Sequence, residues 1–110
     1  MANHPNLAKL LDSMVSALPG VESSKSRWTN RDAYYAGSRE CVHFHSGNKV
    51  DIRLTKQLQR KYANVVKGDP RVKFRPRASE WIEVKCSSKK DVEFALSLAK
   101  LALSANRLIG

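Results

Sequence analysis

Two hydrophobic spacings divide this chain. At its start, Leu7, Leu10, Leu11, Met14, Val15 and Leu18 recur at intervals of three and four, which puts one apolar stripe on a helix. The helix is predicted over residues 5–17, with Pro5 suited to the first turn and Pro19-Gly20 ending it. Residues 21–28 alternate weakly and run into the turn cluster Thr29-Asn30-Arg31-Asp32, so a strand and hairpin are expected there. Tyr34 and Tyr35 then precede Gly37, the mark of a bend or bulge.

The clearest alternation of period two runs from Cys41 to Leu54 on both sides of Ser46-Gly47-Asn48. A half-buried β-hairpin has this pattern. A three-residue loop sets Phe44 against Val50 and Val42 against Ile52 on the apolar face. On the other face it sets His43 against Asp51 and His45 against Lys49, with Arg53 beside Cys41. Thr55 is a suitable N-cap for a short helix carrying Leu58 and Tyr62 inward, which Gly68-Asp69-Pro70 terminates.

A second alternating pair follows. Residues 71–75 place Val72 and Phe74 on one face and Arg71, Lys73 and Arg75 on the other. Residues 81–86 place Ile82, Val84 and Cys86 opposite to Trp81, Glu83 and Lys85. Antiparallel pairing sets Arg75 against Trp81, Lys73 against Glu83 and Lys85 beside Arg71. Ser88 with Asp91 three residues on is a capping signature for a last helix over about 89–107, whose apolar face holds Val92, Ala95, Leu96, Ala99, Ala102 and Leu103. The order α-β-β-β-β-α-β-β-α predicts one α+β domain over 1–110: a mostly antiparallel sheet with the N- and C-terminal helices packed on one face.

Charge changes this picture more than composition does. Lys and Arg number 20 against 10 Asp and Glu, a net charge of +10 with a pI near 10.0. The excess is uneven: residues 25–90 hold 17 basic and 6 acidic residues, while the two end helices are nearly neutral. A cationic middle suggests a polyanion partner, chiefly nucleic acid; a charge that merely keeps the protein soluble is the plainer alternative. No apolar run approaches the roughly 18 residues that would span a bilayer, so no membrane partner is expected. The start of the chain lacks the apolar core of a secretory signal. Cys41 and Cys86 fit no CxxC or zinc spacing, so reduced thiols in a cytoplasmic protein are expected.

Two groups of residues carry candidate chemistry. His43, His45, Asp51 and Arg53 share the polar face of the central hairpin. An imidazole beside an aspartate is held in one tautomer and suits the removal of a proton from an enol or phenol, and Arg53 suits a developing oxyanion. The same two histidines and Asp51 permit a metal, but Lys49 and Arg53 oppose a cation, and no metal site is expected. The plainer reading is a solvated hairpin face with His43 paired to Asp51. The second group is Arg71, Lys73, Arg75 and Arg77, alternating with apolar residues on one strand, beside Trp81 and Lys85. Phosphate contacts plus a stacking aromatic suit nucleic acid. An edge strand guarded by charge and Pro76, with Arg75 stacked on Trp81, accounts for the same residues structurally. No P-loop, Rossmann glycine pattern or zinc-ribbon spacing is present, so no cofactor is expected.

The series Leu18-Pro19-Gly20-Val21-Glu22, Arg39-Glu40-Cys41-Val42-His43-Phe44-His45, Val50-Asp51-Ile52, Ser79-Glu80-Trp81-Ile82-Glu83-Val84 and Asp91-Val92-Glu93-Phe94-Ala95-Leu96 resembles the small prokaryotic luciferase-like domain family over roughly residues 15–105. The His-x-His strand, the short turn and the aspartate carry the resemblance most specifically. It implies the α+β fold. The family name comes from a domain of fungal luciferases, which oxidise a pyrone-type luciferin, and the name alone transfers no activity. The strand Val72-Lys73-Phe74-Arg75-Pro76-Arg77 is more basic than the resemblance implies. A looser, fold-level likeness runs to the YjbR-type α+β proteins.

The sequence therefore leads to a polyanion-binding domain working through Arg71, Lys73, Arg75, Arg77, Trp81 and Lys85. Its rival is an enzyme or small-molecule binder using His43, His45, Asp51 and Arg53, by cofactor-free oxygenation or metal-assisted chemistry. An interaction protein is a third reading. The oligomeric state is open, with a homodimer the commonest arrangement for a domain of this size.

Overall fold

A computed structural model describes residues 5–25, 32–44, 48–75 and 79–109. The elements run α1 (Pro5–Ser16), β1 (Glu22–Lys25), β2 (Asp32–Ala36), β3 (Arg39–Phe44), β4 (Lys49–Arg53), α2 (Lys56–Lys61), α3 (Ala63–Val66), β5 (Val72–Phe74), β6 (Trp81–Lys85) and α4 (Lys89–Ile109). Six strands form one sheet in the order β1-β2-β3-β4-β6-β5, every pair antiparallel. The fold is α+β, in the order the alternation indicates. The short helix after Thr55 is broken at Tyr62 into α2 and α3.

The apolar sides of both hairpins meet the helices. Val42, Val50, Ile52, Ile82 and Val84 are buried together with Leu11 and Val15 of α1 and with Val92, Ala95, Leu98, Ala99 and Ala102 of α4. Each buried Val, Leu or Ile contributes about 1.5–3 kcal/mol relative to exposure, so this layer supplies most of the drive to fold. The predicted hairpin register holds: Val42 pairs with Ile52, His43 with Asp51 and Phe44 with Val50. So does the second, with Lys73 opposite Glu83 and the Lys85 N–H donating to the Arg71 carbonyl.

Local chemistry sets the element ends. Thr55 Oγ1 accepts from Leu58 N at 3.2 Å and caps α2. Ser88 Oγ accepts from Asp91 N, and Asp91 returns a carboxylate oxygen to Ser87 N at 2.7 Å, which caps α4. The inward residue of α2 is Gln59, which donates to the Ser79 carbonyl. Leu58, expected inward, packs half-buried against the core beside it, and Tyr62 is half-buried at the break between α2 and α3.

Candidate functional site

The polar side of the sheet is built by register. Cross-strand partners point to the same side, so Ala33, His43, Asp51, Glu83 and Lys73 form one row across five strands. A second row, Arg53 and Trp81, lies beside it. The hairpin residues and the basic strand, separate in the sequence, thus share one surface.

A bulge adds a residue that alternation assigns elsewhere. Tyr34 pairs with Val42 but Tyr35 pairs with Glu40, leaving Cys41 as the extra residue of β3. In an unbroken strand, residues three apart face opposite sides. The inserted residue restores Glu40 to the side of His43. Cys41 itself turns into the core and is fully buried. This corrects its expected place beside Arg53 on the polar face. Burial pushes the Cys41 thiol up from its ordinary value.

His43 is held on both edges of its ring. Nδ1 lies 2.6 Å from Glu40 Oε2 and Nε2 lies 3.0 Å from Asp51 Oδ2. Tyr35 donates its hydroxyl to the other Glu40 oxygen at 3.1 Å. These groups are enclosed: His43 is 4% exposed, Glu40 2% and Asp51 4%. The solvated-face reading of the hairpin therefore does not hold. A neutral imidazole has one N–H and one lone pair. Two contacts to carboxylates at these distances need two protons shared among Glu40, His43 and Asp51. The Trp81 indole closes over the imidazole, with ring centroids 4.7 Å apart.

Arg75 joins this group from the sheet edge. Its Nη2 reaches across β6 to both Asp51 oxygens at 2.7 and 2.6 Å, passing Glu83 at 3.4 Å. Arg71 goes elsewhere. Asp69 accepts from its main-chain N at 2.9 Å and from its guanidinium at 2.8 and 3.0 Å. Asp91 adds a 3.3 Å contact, and the guanidinium carbon lies 3.9 Å from the Phe94 ring centroid. The Asp69 pairing holds the Arg71 guanidinium above its ordinary range, and Arg71 holds the Asp69 carboxyl below its own. Of the expected phosphate-binding row, Arg75 is therefore shared with the His43 group and Arg71 is tied to α4. Lys73 and Lys85 remain exposed.

Arg53 lies at the end of β4, its Nε 3.0 Å from Glu80 and its guanidinium carbon 5.8 Å from the Trp81 ring centroid. His45 and Arg77 fall outside the described residues. Among the described residues, no three His, Cys, Asp or Glu side chains are arranged to hold a metal ion. Nor is any described helix long and apolar enough to cross a membrane.

Tyr35, Glu40 and Asn106 are buried polar residues beside the candidate groups that alternation does not single out. The bulge hides the first two, and Tyr34-Tyr35 before Gly37 is its one sign in the sequence. Asn106, fully buried on α4, donates to the Arg53 carbonyl at 3.0 Å and accepts from Arg39 Nε at 3.1 Å.

No curated protein and no solved structure matches the chain. The model of the Luciferase domain matches residues 38–102, a span that begins at the β2–β3 turn and takes in Glu40, His43, Asp51, Arg75 and Trp81. The chain belongs to the luciferase-domain family.

Proposed function

We propose that the polar side of the sheet is a proton-transfer site for a small planar organic molecule with an acidic C–H or O–H, such as an enol or phenol. The enclosed Glu40–His43–Asp51 row carries this reading. A buried imidazole between two carboxylates is costly unless every polar atom is satisfied, and here it is coupled to a cation that can change partner. Asp51 is the member that a partly exposed cation, Arg75, reaches. An incoming substrate draws Arg75 onto its own oxygen and gives its proton to Asp51. His43 and Glu40 spread the resulting charge change, and Arg75 stays as counter-ion to the substrate anion. An enolate formed this way is electron-rich enough to reduce O2, the class of reaction the family name denotes.

The test is deuterium incorporation into 2-tetralone, a planar enolisable ketone, followed by NMR in D2O. The protein should raise the exchange rate at least about a hundredfold over buffer, the lower end of what general base catalysis supplies. Asp51→Asn and His43→Gln should remove the increase. Exchange at the buffer rate from pH 6 to 9 would refute the proposal.

A second reading survives in narrower form. Lys49, Lys73 and Lys85 are exposed along the β4, β6 and β5 register, and a chain of charge +10 attracts polyanions. On this reading nucleic acid touches the lysines rather than Arg71 or Arg75. Lys73→Glu/Lys85→Glu should then lower the slope of log affinity against log salt by about 0.9 for each phosphate that is no longer neutralised. An unchanged slope would rule it out.

A further inference from the structure

The two arginines at the end of the central hairpin share one carboxylate. Glu80 Oε1 lies 3.0 Å from Arg53 Nε and 3.5 Å from Arg39 Nη2. Arg39 opens β3 and Arg53 closes β4, so they converge from neighbouring strand ends. Side-chain exposures of 25% for Arg39, 21% for Arg53 and 36% for Glu80 leave the trio half-open, with the carboxylate the most accessible member. Apart from Glu80, Arg39 donates to Asn106 and Arg53 donates to the Glu40 carbonyl at 3.4 Å. Five N–H groups on each guanidinium leave several directed at no protein acceptor among the described residues.

An ordinary surface ion pair needs no buried support. This one has it. Asn106 sits at 0% exposure on the apolar side of α4. Its oxygen fixes the Arg39 guanidinium, and its amide nitrogen fixes the Arg53 main chain and the Ala102 carbonyl. A leucine there would pack the helix without such demands. The asparagine instead sets the positions of both arginines, from inside the core.

We propose that Arg39 and Arg53 form a binding subsite for an organic carboxylate, and that Glu80 is an internal occupant which the ligand replaces. Arg53 and Asp51 are two residues apart on β4, roughly 7 Å along a strand, about the span of one substituted ring. Trp81, the cross-strand partner of Arg53, supplies an aromatic surface that touches both the Arg53 guanidinium and the His43 imidazole. The substrate class is thus a small ring with a carboxylate on one side and an acidic proton on the other. That substrate rests on the proton-transfer reading; the anion subsite does not.

Benzoate separates the two. Titrated into the full chain, it should shift the Arg39 and Arg53 Nε–H and Trp81 indole N–H signals saturably, and benzamide, its neutral counterpart, should not. Arg53→Gln should abolish saturation. Glu80→Gln, which removes the competing carboxylate, should tighten benzoate about two- to fivefold, the scale of a partly exposed charge pair. A gain of affinity cannot arise from misfolding. Equal shifts with benzamide, no saturation, or benzoate affinity unchanged or lowered in Glu80→Gln would overturn the subsite. Benzoate binding with no 2-tetralone exchange would leave the subsite standing and refute the relay.

Discussion

Arg71 and Arg75 stand four residues apart at the two ends of one short strand, each between two carboxylates, yet they belong to different kinds of structure. Arg71 closes a knot with Asp69, Asp91 and the Phe94 ring. Every partner there lies in the turn before β5 or the first turns of α4, and the knot fastens a turn to a helix. Arg75 crosses the sheet to Asp51 and Glu83, and Asp51 is bonded to an imidazole that holds a second carboxylate. One cluster pairs an arginine with carboxylates and an aromatic ring and holds no histidine. The other contains an imidazole, the side chain suited to passing protons near neutral pH. Similar charge counts thus mark a fastening in one place and, on the proposed function, a proton-handling site in the other.

Breaking the second cluster has the larger effect. Asp51→Ala removes the carboxylate that His43 Nε2 and Arg75 share, and it should lower stability by about 3–5 kcal/mol in urea unfolding. Arg71→Ala removes hydrogen bonds to charged partners at a half-exposed position. A loss of about 1.5 kcal/mol is expected, with 2-tetralone exchange retained. If Arg71→Ala abolished exchange while remaining folded, the contrast between the clusters would be wrong.

Acid sharpens the contrast at the knot. Arg71 hydrogen bonding holds the Asp69 carboxyl below its ordinary value of 3.8. A carboxylate lowered on folding stabilises the protein above its unfolded value, and that contribution is lost as pH falls through the folded value. The stability difference between wild type and Asp69→Asn should therefore be level from neutral pH down toward 4 and shrink below it. A difference that grew on acidification would contradict the pairing.

The smallest effect is a rate. Cys41 lies in the central strand beneath the His43 row, and Cys86 lies where β6 approaches the α4 cap, its thiol pushed up to about 11 by burial with Asp91 adding to it. Both should resist a thiol reagent at pH 8 in the native protein. Cys41 should be the slower, because a central strand opens only with global unfolding. Faster labelling of Cys41 would place the weaker region under the candidate site.

What the sequence made legible follows from periodicity. The pairing of His43 with Asp51 could be read from alternation around a short turn, because a slip by one residue would turn Val42, Val50 and Ile52 outward. Glu40 could not, since a single inserted residue inverts the side to which its neighbours point. The reach of Arg75 to Asp51 spans two strands, beyond any local rule. The capture of Arg71 had a local sign, the Asp69-Pro70 turn two residues earlier, whose aspartate hydrogen-bonds the following main chain. Asn106 looked like one polar residue on an amphipathic helix, and only the packing of α4 over the strand ends gives it a role.

The central claim is that protons bridge His43 to both carboxylates inside the fold. It is tested most directly by 15N-resolved NMR of the His43 ring at neutral pH. Two ring N–H signals, far downfield and slow to exchange with water, would bear the account out. One N–H signal, or ring protons in rapid exchange with solvent, would contradict it.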